Sequence, residues 1–500
     1  MLAVAVFTAL ALWPLWSRRF PPMQDYPEQL FYTQGLAVSG DPAFDYDRYY
    51  EFGLHPLYST FYVATLGFAK LAPFEVAGKL ALSLYALLVA LLVLRLARRK
   101  TNGGEGGAAP WGALLFFPFL CNQQYYFGNL NYLYSLPLLL LALLDLEDLL
   151  RGELRPWPVV RHALWQTALF VTHPLTFLVY GAMAALTVIL HRRVRRLGSK
   201  VVAAAALALV FAGILWRANQ AVQSSQGFGT SAMGAMDWLP LNDTLKFAAL
   251  MFTGMEWSQG PDLVALALWI ALAVLVVGAA RAARAAKADA SRQPIPFGHV
   301  LMLVLIVAAV LVLPFRVGTF SYINLRLTAV AYFVCALLAS HVRFAGWRVA
   351  ALLVLAGASV VDSGVRQRRV SAEVGEILPV VERIPPRSRI LPLVFDRDSP
   401  ELEGYWFDPH LHDHHYYHVV VGGGFNPYLF GSPLRPVRFD EKERRPSPGE
   451  FFPQNFSWQT HAADYQYFVV RGGPKQVADY FSARCNPLVS SGPWTLYERR

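Results

Sequence analysis

Charge is scarce in this chain. Asp, Glu, Lys and Arg make up 16% of its 500 residues, against 55% hydrophobic and 14% aromatic, which excludes an ordinary soluble protein. Cysteine is scarcer still. Of the three, Cys121 and Cys335 lie in or beside apolar segments and Cys485 stands alone in a polar tail. That tail cannot hold an internal disulfide, and no metal-type cysteine spacing exists. The sequence has no phosphate-cradling P-loop, dinucleotide fingerprint, nucleophile elbow or HExxH helix, and no internal repeat. Residues 1–17 are apolar, but they lack a basic start and a small-residue cleavage site. They read as an uncleaved anchor helix rather than a signal peptide.

What the chain does have is a succession of apolar runs near the ~20-residue length that crosses a bilayer. They fall at roughly 1–17, 75–97, 111–124, 131–149, 161–173, 174–190, 200–218, 262–280, 297–315, 325–340 and 349–365. These predict an α-helical polytopic membrane protein of about eleven spans. The formal charge of +10 sits mainly in short clusters between runs, so it reads as topology and not as a groove for nucleic acid. Arg95, Arg98, Arg99 and Lys100 share one side with Arg151, Arg155, Arg161, Arg192, Arg193, Arg195, Arg196 and Lys200. Arg281, Arg284, Lys287, Arg292, Arg343 and Arg348 join them. The N-terminus then lies on the inner side of the cytoplasmic membrane and the C-terminal tail on its outer side. Arg18 and Arg19 depart from this pattern. Residues 56–72 read as a juxtamembrane or re-entrant helix, because a further span there would put Arg95 to Lys100 outside.

This drawing gives a transmembrane domain at 1–365, with its first outer loop at 18–74, and a small extracytoplasmic α/β domain at 366–500. In the tail, Val370, Val374, Ile377, Leu378 and Val381 keep helical spacing, and Pro385-Pro386 ends that helix. Residues 389–395, 416–421, 465–471 and 494–498 read as strands, and 474–484 as a helix.

Polar residues near the membrane are where chemistry is sought, because a charge beside lipid is costly and usually functional. The loop Arg18-Arg19-Phe20-Pro21-Pro22-Met23-Gln24-Asp25-Tyr26-Pro27-Glu28 puts carboxylates there. Asp25-Tyr26-Pro27-Glu28 has capping-box spacing, with Asp as N-cap, Pro in the first turn and Glu at N3. A helix to about Val38 would then lie on the bilayer surface. A capping carboxylate keeps one oxygen free, so the same Asp25 suits a general base or a cation ligand. Asp45 and Asp47, set among Tyr46, Tyr49 and Tyr50, read as a solvated turn or as a second acid with sugar-stacking rings. Asn122, Gln123 and Gln124, with Gly128, Asn129 and Asn131, either line a cavity or form a turn. His173-Pro174 marks the apex of a helical hairpin. Asp237, Asp243 and Glu256 sit in a long loop at 219–261. Arg316 and Arg326 flank Ser321-Tyr322-Ile323-Asn324, to snorkel or to clamp a phosphate. In the tail, His410, His412, Asp413, His414, His415 and His418 invite a zinc reading. They lack a recognised ligand spacing, and a polar loop running into a strand is the plainer reading.

Several of these residues together resemble the GT-C class of membrane glycosyltransferases, in the group that includes lipid-A aminoarabinose and protein mannosyl transferases. They are the short first helix, Pro22-Met23-Gln24-Asp25-Tyr26-Pro27 entering a helix, and His55-Pro56-Leu57-Tyr58 before the next one. The His173-Pro174 hairpin, the Arg326 helix start and the outer C-terminal domain add to the likeness. The resemblance implies a sugar donor carried on polyprenyl phosphate and an envelope glycan or lipid acceptor, with inverting transfer outside the cytoplasmic membrane. Asp25 matches the first-loop catalytic acid of that class, with Glu28 as a second catalytic candidate. Arg326 would hold the departing phosphate, and His55, Tyr58, Asn129, His173, Asp45 and Asp47 are the further substrate-binding candidates. No acid adjoins Asp25, so a divalent metal is admitted but not required, and no cofactor or metal ligand is assigned. Two other readings stay open: a transporter or flippase of a lipid-linked envelope intermediate, and a noncatalytic scaffold in which Asp25 is only a cap.

Overall fold

Helices dominate the computed structural model, which describes residues 1–101, 110–151, 155–190, 236–253, 263–288, 297–317, 321–342, 344–402, 407–429, 436–440 and 442–500. The expected span at 200–218 lies outside the described residues, as do Arg192, Arg193, Arg195, Arg196, Lys200, Glu256, Arg292 and Arg343. Among the described residues, three helices are long and apolar enough to cross a membrane: Phe74–Arg99, Ile323–Ser340 and Trp347–Val381. Shorter apolar helices occupy Leu2–Ser17, Thr60–Ala69, Pro174–Leu190 and Gly298–Val312. The chain divides into two compact units. One comprises Met1–Ala11, Leu84–Gln124 and Asn131–Ser363; the other comprises Leu12–Ser83, Tyr125–Leu130 and Gly364–Arg500.

The first unit is built around the Ile323–Ser340 helix, which beyond Arg326 is mostly apolar and is buried almost throughout, as a helix at the centre of a bundle must be. Helices Leu241–Thr253, Leu263–Ala288 and Phe297–Val312 pack against it. The Leu241–Thr253 helix lies where the sequence reads as a long loop. Residues 111–124, expected as a span, begin instead as a 3-10 helix, Trp111–Phe119. Pro118 removes one N–H from the ladder. Gly112 lies so close to the central helix that a Cβ would stand 2.2 Å from the Ala339 carbonyl oxygen. Asn122 then forms a turn: its amide donates to Phe119 O at 2.9 Å and its Oδ1 accepts from Gln124 N–H at 2.8 Å. The Leu130–Arg151 helix ends in three acids that gather the basic residues. Arg95 pairs with Asp145 (3.2 Å) and Asp148 (2.6 Å), Arg99 with Glu147 (3.1 Å), Arg161 with Asp145 (2.5 Å) and His299 with Glu147 (2.6 Å). These arginines, which the sequence reads as topology signals, are therefore partly neutralised within the protein.

The second unit contains a four-stranded sheet with Ile390–Val394 at one edge, then Tyr467–Arg471, Trp494–Arg499 and Cys485–Ser491. The first pair is parallel and the others antiparallel. Helix Lys475–Ser482 covers one face through Phe481, whose ring meets those of Phe468 and Tyr497 at 5.3 Å. A two-stranded ribbon joins Tyr50–Phe52 to Val437–Phe439. The first loop and the C-terminal segment thus belong to one folded body. Helix Tyr26–Val38 packs between Thr60–Ala69 and the turns Asp413–His415 and Tyr416–Val420. Residues 26–35 are all buried, so this helix is covered all round instead of resting one face on a bilayer. Residues 416–421, expected as a strand, form the short helix Tyr416–Val420. The β-branched and aromatic run favours a strand by propensity. Its packing overrides this, because a helical turn puts His415 and His418 on one face, both stacked on Phe31 at 5.6 and 4.1 Å. Gly422, Gly423 and Gly424, all at positive φ, then reverse the chain.

Candidate functional site

The candidate site is in the second unit and starts from the backbone of the first loop. Gln24 N–H donates to Tyr126 O at 2.8 Å, Asp25 N–H to Phe127 O at 3.2 Å, and the Gln29 amide to Gly128 O at 2.6 Å. These bonds tie the first loop to the turn at 125–130. Gly128, at φ +81°, admits the approach because a Cβ there would stand 3.0 Å from both the Cβ and the nitrogen of Asp25. Asp25 occupies the N-cap position of helix Tyr26–Val38, with Pro27 in the first turn, yet its side chain makes no capping hydrogen bond. The capping box does not form. Asp25 N–H, which Glu28 would have bonded, is taken by Phe127, and the buried Glu28 accepts the hydroxyl of Tyr32.

The Asp25 carboxylate meets histidine instead. Its Oδ1 lies 3.1 Å from His412 Nδ1, and His412 Nε2 lies 3.3 Å from Glu450 Oε1. Asp25, His412 and Glu450 have side chains only 5%, 1% and 12% exposed. Both His412 nitrogens therefore face carboxylates, which is the environment of an imidazolium. Burial opposes its charge, but the charge of Glu450, the contacts with Asp25 and Glu450 and the charge of Glu28 outweigh it and hold His412 well above the ordinary histidine range. Burial likewise opposes the charge of Glu450, and His412 and His414 pull it down to about 2. Gln24 Oε1 accepts from Asp408 N–H at 2.9 Å. The Asp408 carboxyl, raised mainly by burial, pairs with Arg397 at 3.2 Å.

The remaining histidines divide by their neighbours. His410 lies between Asp413 (2.7 Å) and Glu373 (3.2 Å). Burial opposes its charge, and these two acids raise it above the ordinary value. His414 approaches Glu450 through Nε2 at 3.4 Å, and Asn426 Nδ2 lies 2.7 Å from its Nδ1. Burial pushes His414 down against the pull of Glu450, and burial with the surrounding imidazoles pushes His415 far down. His418 is lowered to about 3, by burial above all.

The other expected site residues are placed as follows. His55 is half-buried, and its Nδ1 accepts from Leu57 N–H at 3.1 Å. Tyr58 is half-buried at φ +56°, and Asn129 lies in the turn that holds Asp25. Asp45 adopts left-handed backbone, φ +57°. The exposed Asp47 accepts from Ser39 Oγ at 3.0 Å and from Gly40 N–H, so it closes the C-terminal end of helix Tyr26–Val38. His173 and Arg326 belong to the first unit, where Tyr132 joins them. The Tyr132 hydroxyl donates to Arg326 O, and its ring lies 5.0 Å from that of His173. The His173 Nδ1 accepts from Thr176 N–H at 3.3 Å, which places the proton of a neutral ring on Nε2. Arg316 pairs with Asp237 at the surface.

Glu450 was not among the residues expected from sequence. It follows Ser447-Pro448-Gly449 and precedes the exposed Phe451 and Phe452, and nothing in that turn-like composition ties it to the histidines. Chemically, the site offers a directed carboxylate at Asp25, a cation at His412, and two neutral imidazoles beside a carboxylate.

No protein-family model and no curated protein matches the chain. Among solved structures, it is similar to the cryo-EM structure of the arabinofuranosyltransferase AftD from mycobacteria, at 14% identity and a TM-score of 0.47, over 99% of this chain and 40% of that one.

Proposed function

We propose that the protein is a membrane glycosyltransferase that moves a sugar from a polyprenyl-phosphate donor to an acceptor hydroxyl at the outer face of the cytoplasmic membrane. The observation that carries this reading is Asp25. It stands at the mouth of the first loop where the resemblance expects the catalytic acid, and its carboxylate is turned to His412 instead of being used as a helix cap. In the proposed step the acceptor oxygen attacks the anomeric carbon as its proton passes to Asp25. The bond from that carbon to the phosphate oxygen breaks, and polyprenyl phosphate leaves. Single displacement inverts the configuration. His412 fixes the direction of the Asp25 oxygen, and positioning of this kind is a large part of what a general base requires. Arg326 is proposed to bind the phosphate, since guanidinium matches its geometry.

The test is turnover of a panel of polyprenyl-phosphate sugars by the purified full-length protein and by Asp25→Asn. Asn caps helices about as well as Asp but cannot take a proton. Transfer or slow donor hydrolysis by wild type, absent in a folded Asp25→Asn, supports the reading. Equal activity in both removes Asp25 from the chemistry. Absence of donor binding by either points to transport or scaffolding instead.

A further inference from the structure

We propose that His414, His415 and Glu450 form a binding site for a divalent metal ion of the zinc class. The proposal does not depend on the transferase reading. One ligand atom from each of the three residues lies within 4.8 Å of the other two. Ligands held 2.0–2.2 Å from a common tetrahedral ion stand roughly 3.4 Å apart. His414 Nε2 and Glu450 Oε1 are already at that spacing, 3.4 Å, and His415 holds a ring nitrogen within 4.8 Å of both.

Two further observations point to a ligand. His415 is wholly buried and, among the described residues, neither of its ring nitrogens has a hydrogen-bond partner, an arrangement that folded proteins avoid unless something else satisfies the group. The donor set is also selective. Two imidazoles and one carboxylate, brought together from separate segments, match zinc, while calcium and magnesium take oxygen ligands. Three protein ligands leave a fourth position open. Two residues, Glu450 and His412, would stand between the ion and Asp25.

The surroundings of His414 have to rearrange for it to ligate. Asn426 Oδ1 accepts from Tyr428 N–H at 3.1 Å, which turns its Nδ2 toward His414 Nδ1. Ligation through Nε2 requires the His414 proton on Nδ1, so the Asn426 amide must turn over to accept it. A carboxylate at 426 would accept from both His414 and Tyr428, and a carboxylate behind a metal-bound histidine raises its basicity.

The experiment uses full-length protein in detergent, stripped with a chelator and reloaded with Zn²⁺ or Co²⁺ alone. Wild type should retain about one zinc per chain after desalting, melt at a higher temperature with zinc than without, and show with Co²⁺ the strong visible absorption of a low-coordinate ion. His415→Gln and Glu450→Gln should each lose about tenfold or more in affinity, and Asn426→Asp should bind more tightly. His418→Gln, which alters a neighbour of His415 but removes no proposed ligand, should bind like wild type. If His415→Gln does not fold, the loss in Glu450→Gln and the gain in Asn426→Asp still decide the matter. Wild type that retains no zinc, or zinc held equally by wild type, His415→Gln and Glu450→Gln, overturns the proposal.

Discussion

Asp25 Oδ1 and His412 Nδ1 meet at 3.1 Å, joining the first loop of the chain to its C-terminal segment through two buried side chains. This contact gives the first prediction its sharpness. Asp25→Asn keeps the shape and loses the charge, so transfer should fall by about 10²–10⁴-fold, the usual contribution of general base catalysis. Donor binding should persist. Single-turnover assays with a fixed donor, beside a binding measurement, separate the two effects.

Gly128 tests whether the turn beneath Asp25 matters. With φ at +81° and Asp25 3.0 Å from the site of a Cβ, Gly128→Ala has to strain the backbone or displace the loop, at a cost of about 1–3 kcal/mol. The melting temperature should drop, and transfer should drop further than stability alone explains. A Gly128→Ala protein with wild-type turnover would show that the position of Asp25 is not set by this turn.

In the first unit, Asp145 is 1% exposed and shared by Arg95, Arg161 and His162 at 3.2, 2.5 and 3.6 Å. Asp145→Asn leaves this group of bases with an uncompensated charge and should destabilise by about 3–5 kcal/mol. Adding Arg161→Met should restore part of that loss, since Arg161 and Asp145 are in contact and their effects should not add. Denaturation in detergent measures both.

His410 carries a pH dependence whose sign can be worked out. Burial disfavours its charge, the acids Asp413 and Glu373 favour it more strongly, Arg471 opposes them, and the net effect is a raised value. A raised group contributes stability that is fully present below its unfolded value, about pH 6.5. That contribution is lost as pH rises through the folded value. Wild-type stability should therefore decline from about pH 6.5 upward relative to His410→Gln, whose profile should be flatter over the same range. Thermal melts across that window read the difference.

Arg326 is tested by a conservative change. Lys keeps the charge but lacks the guanidinium fork. If Arg326 holds a phosphate in bidentate fashion, Arg326→Lys should weaken donor use by about 10-fold or more, since a charge-assisted hydrogen bond is worth about 1.5–3 kcal/mol, and Arg326→Gln should weaken it further. Identical kinetics in Lys and wild type would leave Arg326 as a residue that merely extends to the headgroups.

The parts of the fold that were readable from sequence are those specified locally. The helix through Val38, the strands Ile390–Val394, Tyr467–Arg471 and Trp494–Arg499, and helix Lys475–Ser482 each carry their own periodicity and punctuation. Residues 111–119 were not readable, because an apolar run of that length fits a span, and only Pro118 and the close seat of Gly112 turn it into a 3-10 segment. The Tyr416–Val420 helix has the composition of a strand, and its stacking on Phe31, a residue from the first loop, decides the outcome. In the candidate site, Asp25 could be found from its loop, whereas Glu450 could not, since its significance comes wholly from the histidines that fold against it.

The burial of helix Tyr26–Val38 against turns 413–420 also orders events during synthesis. The first loop is made long before the side chains that enclose it, His412, His415 and Tyr416 among them. Until those are made, Asp25 lacks its contact with His412 and Phe31 lacks its stack on His415 and His418, and the segment has to be kept from misassembling. Maturation of the site is therefore a delayed and non-local step, and a ribosome stalled before residue 407 would hold a chain that has the first loop but neither the histidines nor Glu450 of the candidate site.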